Sequence, residues 1–351
     1  MTTFIASVFV FGLLIVFHEF GHFIVAKIVG IKVYEFSLGF GPKLLDVSGE
    51  ETLYTVRLLP LGGFVRMAGM DPEEEVDEKD LNRGFNKKTV GQRIAVIFAG
   101  PFMNFLLAAL LFVVVFSLQG EPVASSGTRI GDINPGYPAQ AVGLAAGDKI
   151  VAVDGKTVDK WADLVTMINE RPEQNISVVV LRDGSELQFA LTTVKSEDGR
   201  GLIGIYPTEE YVKIGFLQSI SLGIEWTVRF TVAIIDIVFK MILGQAPAEL
   251  GGPVRVVSEI GNAAQLGFVI LLKLAALLSV NLGLFNLFPI PALDGSRILF
   301  LVWEKIIRRP VDPAKENFIH LIGFGLLMLL IVAVTYNDII QVFIAGKGAG
   351  Q

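Results

Sequence analysis

Residues 4–29 read FIASVFVFGLLIVFHEFGHFIVAKIV. This stretch decides the fold. It is long enough to cross a bilayer as a helix, which takes ~20 apolar residues. Yet it carries His18, Glu19 and His22 in its second half and Lys27 near its end. Ionisable side chains at membrane depth are costly and mark functional positions. Residues i and i+4 share one face of a helix, so His18 and His22 can reach a single cation. Imidazole suits Zn²⁺, and the glutamate between them can take a proton from metal-bound water. A catalytic zinc typically has three protein ligands, so a third is missing from this segment.

The whole chain of 351 residues has 52% apolar and only 18% charged residues, against roughly 25% charged in an ordinary soluble domain. Its mean hydropathy is +0.60. A net charge of −6 leaves no basic footprint, so nucleic acid is not an expected partner. Cys is absent, which excludes disulfides, thiolate zinc sites and cysteine nucleophiles. The three histidines are His18, His22 and His320.

Three further stretches are long enough to span: about Ile94–Leu118, with a Gly100-Pro101 pair that predicts a kink, about Leu266–Pro291, and about Phe318–Phe343. The first span lacks the basic flank and small-residue cleavage site of a signal peptide. Ser219–Leu243 is also apolar, but Glu225, Arg229, Asp236 and Lys240 fall within a sector of roughly 60° at about 100° per residue, the pattern of an amphipathic helix at the interface or against protein. Lys and Arg crowd the connection after the first span and the one from Gly295 to Asn317. The positive-inside rule therefore places these two connections in the cytoplasm and both termini, with the long middle connection, outside.

The expected organisation is four transmembrane helices with a membrane-associated β-hairpin and an inserted α+β domain. Residues 1–118 hold the first two spans, 122–207 the soluble domain, 208–265 amphipathic helices, and 266–351 the last two spans. Turn signals at Gly147-Asp148 and Asp183-Gly184 separate strand-like KIVAVDGKTV, SVVVLR and ELQFALTTV, and Trp161–Asn169 has helical spacing. Segments 37–45 and 55–69, Gly-rich with β-branched and aromatic residues, predict a hairpin. The acidic run Asp71–Asp80 reads as a solvated loop, and Lys87–Val96 as the start of an interfacial helix.

The third ligand is open between His320 and a carboxylate. His18 lies 14 residues beyond Phe4, ~21 Å along a helix rising ~1.5 Å per residue. Asp294 arrives at comparable depth from the third span, after Pro289 and Pro291, which forbid a regular helix there. His320 starts the fourth span on the same side. Asp294 is favoured because a carboxylate completes a His₂-Asp set and the proline break positions it.

The stretch PAQAVGLAAGDKIVAVDG with GLIGI at 201–205 resembles a PDZ domain of the permuted bacterial kind, a fold that binds peptides by strand addition. HEFGH in the first span, this insert, and NLFPIPALDG at 286–295 together resemble the site-2 protease family of intramembrane zinc metalloproteases, of the bacterial regulator-of-sigma-E type with a single PDZ domain. The resemblance implies one zinc per chain on His18, His22 and Asp294, with Glu19 catalytic. It implies substrate-holding roles for Asn286, Pro289 and Pro291, and for the hairpin around Gly62, Gly63 and Phe64 as a membrane-reentrant loop. After Gly295 this chain has Ser296-Arg297, where relatives often have Gly and a His or Lys. The implied substrates are single-pass membrane proteins already cut by a site-1 protease, such as anti-sigma factors, or remnant signal peptides. The implied location is the bacterial cytoplasmic (inner) membrane, in contact with lipid, with a peptide or protein ligand at the PDZ domain. The rival readings are a non-catalytic PDZ scaffold and a metal transporter. No internal repeat supports a transporter.

Overall fold

The computed structural model describes residues 1–70, 78–196, 198–245 and 251–348. The chain divides into a unit of residues 1–118 with 215–351 and a second unit of residues 119–214. Among the described residues of the first unit, four helices are long and apolar enough to cross a membrane: Thr2–Ile28, Val90–Gln119, Phe268–Leu287 and Ala314–Ile340.

Helix α1 (Thr2–Ile28) carries HEFGH and leads into strands β1 (Val33–Ser48) and β2 (Leu53–Met67). These two strands bend back on themselves. Residues 33–38 register with 63–67 on one side and residues 35–38 with 53–56 on the other, while 43–48 register with 53–57. Segment 63–67 is therefore an outer edge with no further strand beside it among the described residues. Away from α1, the hairpin exposes Leu44, Leu45, Val47, Leu58 and Leu59.

The hairpin turn is tied to the end of α1 by charge. Glu51 meets Lys27 at 2.6 Å, Arg83 at 2.8 Å and Lys32 at 3.7 Å, and Thr52 donates to the Val33 carbonyl. Arg83, drawn in by Glu51, also carries Asp80 inward. Asp80 is consequently buried and paired with Arg83 at 3.4 Å rather than solvated. The rest of the acidic run, 71–77, lies outside the described residues.

Helix α2 (Val90–Gln119) runs unbroken through Pro101. Its first turn is capped by a reciprocal Thr89–Gln92 contact, so the helix starts at Val90 rather than at Lys87.

The second unit comprises β3 (Glu121–Ala124), β4 (Ile130–Ile133), α3 (Pro138–Ala141), β5 (Lys149–Val153), β6 (Lys156–Thr157), α4 (Trp161–Asn169), β7 (Asn175–Arg182), β8 (Ser185–Thr192), β9 (Val194–Lys195), β10 (Gly201–Leu202), β11 (Ile205–Pro207) and β12 (Glu209–Val212). A sheet in the order β6-β5-β7-β8 packs with α4 around Ile150, Val153, Leu164, Ile168, Val178 and Val180. Buried Asp148 accepts two bonds from Arg182, which hold its carboxyl below the usual carboxylate range. The unit is wider than 122–207 because β3 and β12 pair where the chain enters and leaves, from Glu121↔Val212 to Ala124↔Glu209. A groove between α4 and β10–β11 is lined by Trp161, Leu164, Ile168, Leu202 and Ile203.

Back in the first unit, α5 (Phe216–Ile242) is the amphipathic helix. Its charges pair along one exposed stripe, Glu225–Arg229 and Asp236–Lys240. Trp226 and Phe230 pack on Phe112 and Phe116 of α2, and Lys273 lies over the Trp226 ring. Helix α6 (Pro253–Leu266) precedes α7 (Phe268–Leu287), a short break leads to α8 (Asp294–Ile307), and α9 (Pro313–Gly348) follows. The third span thus ends at Leu287, before the prolines, and not at Pro291. Asp338 of α9 accepts the backbone N–H groups of Gly252 and Arg255 at the start of α6.

The Glu51 cluster sets an acid limit. Lys27, then Arg83, lower its carboxyl from an ordinary 4.5 to about 2. A depressed carboxylate stabilises the fold fully above its unfolded value, and that contribution is lost as pH falls through the folded one. The expected outcome is a thermal midpoint in detergent that declines from pH 5 towards 2. Glu51→Gln should show a lower midpoint at neutral pH and a flatter acid limb.

Candidate metal centre

The site is assembled where α1 meets α2 and the start of α8. Two glycines permit the approach. A Cβ on Gly21 would lie 2.2 Å from the Ala99 carbonyl oxygen, and one on Gly100 would lie 2.2 Å from His22 Nε2. With both positions bare, His22 Nδ1–H donates to the Val96 carbonyl at 2.8 Å. Gly100 therefore serves close packing against α1, in a helix that continues through Pro101.

Asp294 is delivered by the break after α7. Pro289 and Pro291 lack backbone N–H groups and stop the helix. Ala292 takes a positive φ of 80°, and α8 then begins at Asp294 itself. Gly295 allows the chain to fold back, because any Cβ there would lie 2.3 Å from the Leu287 and Phe288 carbonyl oxygens. An Asp-Gly pair at this point thus places a carboxylate against the end of α7 and toward α1.

Three donor atoms converge. His18 Nε2 is 3.2 Å from His22 Nε2, and Asp294 Oδ2 is 3.2 Å and 3.4 Å from the two nitrogens. This is the one group of His, Cys, Asp or Glu side chains among the described residues arranged to hold a metal. The spacing fits zinc, since ligand atoms about 2.0–2.1 Å from a tetrahedral ion stand about 3.3–3.4 Å apart. The chemistry fits as well. Asp294 Oδ2 is buried without a hydrogen-bond partner, and two imidazole lone pairs face one another, an arrangement a cation relieves.

Glu19 lies one residue along α1. Gly63, in the outer edge segment of β2, sits directly on it: a Cβ there would lie 2.9 Å from Glu19 Cγ and 2.8 Å from the Ser37 carbonyl oxygen. Gly62 has φ 111° and lies over the Phe40 ring, and Phe64 stacks on Phe40 with Arg57 above it. Asn286 occupies the last turn of α7, half-buried, and Pro289 is exposed. Pro291 packs on α9, where a Cβ on Gly323 would lie 2.2 Å from it. No described contact joins Asn286 or Pro289 to the three donors.

His320 is not among the donors. Its Nδ1 accepts the Ala292 N–H at 3.0 Å, bracing the positive-φ residue two positions before Asp294.

A residue missed in the sequence is Asn104, fully buried in α2, with Nδ2 3.0 Å from His18 Nδ1 and Oδ1 without a partner. Turning the amide brings its oxygen to His18 Nδ1–H, which leaves Nε2 as a free lone pair facing the donor cluster. The signal was available: one amide in an otherwise apolar span needs a partner. Ser279 of α7 donates to the Asn104 carbonyl and holds the turn in place.

Residues 6–330 match the profile of Peptidase family M50. The chain belongs to peptidase family M50. It is a site-2 type intramembrane zinc metalloprotease. Over 97% of this chain and 98% of the relative, the M50 enzyme is 37% identical to zinc metalloprotease RasP of Geobacillus kaustophilus. It is 35% identical to the regulator of sigma-W protease RasP of Bacillus subtilis, over 98% of this chain and 100% of that protein. A PDZ domain of an SdrC-like protein from Listeria monocytogenes aligns at 21% identity over 24% of this chain and 88% of that one, with a TM-score of 0.22.

Second contacts of this kind typically change metal affinity about 10–100-fold. Asn104→Leu is accordingly expected to weaken zinc binding of this M50 enzyme by about that factor in chelator competition. Unchanged affinity would mean that His18 is oriented without the amide.

Proposed function

We propose that His18, His22 and Asp294 hold a single zinc ion and that Glu19 is the general base of peptide hydrolysis. The observation that carries this reading is the convergence of three donor atoms within 3.4 Å of one another, one residue along α1 from Glu19, whose Cγ fills the space beside Gly63 on a strand edge with no further strand beside it among the described residues. Bound zinc supplies Lewis acidity toward the scissile carbonyl and acidifies water. Glu19 takes the proton of the attacking water and passes it to the leaving amine. The backbone around Gly62, Gly63 and Phe64 receives the substrate as an added strand. A substrate helix shields its carbonyls in hydrogen bonds, so strand addition keeps it unwound beside Glu19. Asn286, Pro289 and Pro291 line the path along which it unwinds.

The hairpin dips into the bilayer through its exposed Leu and Val side chains. Polar backbone at that depth is tolerated where protein covers it. The cation-rich connections face the cytoplasm, and the termini and second unit lie outside the cytoplasmic membrane. The second unit is a PDZ domain whose groove along α4 screens substrates that an earlier protease has shortened. Single-pass membrane proteins of the anti-sigma-factor class are the proposed substrates, in line with the sigma-W regulator named among the relatives.

The test is Glu19→Gln with a single-pass model substrate in proteoliposomes. Zinc content should stay at about one per chain while cleavage falls by roughly 10²–10⁴-fold. Cleavage at the parent rate would remove Glu19 from the reaction, and no cleavage by the parent protein itself would favour a scaffold reading.

A further inference from the structure

Helix α8 is built the opposite way round from a helix of a soluble protein. At about 100° per residue, Arg297, Leu301 and Glu304 share one face. That face turns inward: Leu301 is buried, Glu304 pairs with Arg93 of α2, and Arg297 lines a polar cavity with Glu304 and His320. The opposite face carries Leu299, Val302, Trp303 and Ile306, exposed by 53%, 38%, 57% and 69%. Polar side chains look into the protein and apolar ones look out.

Three observations say what covers the outward face. The helix starts at the end of spanning helix α7, folded back on the Leu287 and Phe288 carbonyls, and at 14 residues it is too short to span. Its outer face carries a tryptophan, the side chain that settles at headgroup level. Exposed cations, Lys305, Arg308, Arg309 and Lys315, gather at its C-terminal end, while its one glutamate is turned inward to Arg93 and the nearby Asp312 caps Ala314. An apolar face flanked by cations matches an anionic bilayer surface.

We propose that α8 lies in the membrane interface and recognises anionic phospholipid headgroups through Lys305, Arg308 and Arg309, with Leu299 and Ile306 among the acyl chains and Trp303 at their boundary with the headgroups.

The chain has three tryptophans, so Trp161→Phe with Trp226→Phe isolates Trp303. The experiment places this full-length variant in nanodiscs containing brominated phosphatidylglycerol or, at the same mole fraction, brominated phosphatidylcholine. Trp303 emission should be quenched by both lipids, about two- to fivefold more strongly by the anionic one, with the excess lost at high salt. Lys305→Gln with Arg308→Gln and Arg309→Gln should equalise the two lipids while leaving quenching intact. If the tryptophan replacements disturb folding, subtracting Trp303→Phe from the parent protein gives the same signal. Equal quenching by the two lipids in the parent would overturn headgroup recognition. No quenching by either would show that protein or water, and not lipid, covers the face.

Discussion

The structure depends on how closely α1 and α2 approach. Backbone meets backbone at Gly21 and Ala99, and the His22 ring lies over Gly100. No hydrophobic driving force joins two apolar helices in lipid, so small residues and interhelical hydrogen bonds hold them together. Here both devices act at one level. The close contact lets α2 offer the Val96 carbonyl and the Asn104 amide to the two histidines of α1. A methyl group at either glycine would separate the helices and withdraw both contacts together. Every other part of the centre is aimed at the point thus defined. The proline break and Gly295 bring Asp294 to it, and His320 and Gly323 of α9 hold that break in place.

The same constraint shapes the β-hairpin. Segment 63–67 could not lie against α1 if Gly63 bore a side chain, because Glu19 and the Ser37 carbonyl fill that space. The result is a strand edge, with no further strand beside it among the described residues, next to Glu19 and three metal-type donors, with the rest of the sheet anchored by the Glu51 cluster at the end of α1. An extended peptide is the shape that such an edge accepts.

Much of this was legible in the sequence, for identifiable physical reasons. His18 and His22 announce themselves because ionisable groups are rare in spans and a four-residue spacing fixes their shared face. Asp294 follows from the prolines before it. The stripe from Glu225 to Lys240 identifies α5 as amphipathic. What stayed hidden depends on contacts between elements distant in sequence. Asn104 looks like one polar residue in an apolar run until α2 is set against α1. Gly100-Pro101 reads as a kink, and nothing in that reading shows the room the glycine leaves for the His22 ring. Asp80 reads as solvated until Glu51 draws Arg83 inward, and α8 lies in a connection whose sequence stands out only for its cations.

The central claim is that two imidazoles and one carboxylate, and no third imidazole, make up the protein side of the metal centre. Zinc-edge X-ray absorption of the purified full-length protein tests it most directly. The account predicts a four-coordinate ion with two imidazole nitrogens at about 2.0–2.1 Å and a carboxylate oxygen at about 2.0–2.2 Å. Outer-shell scattering from three imidazoles, or a coordination shell unchanged by Asp294→Ala, would contradict it.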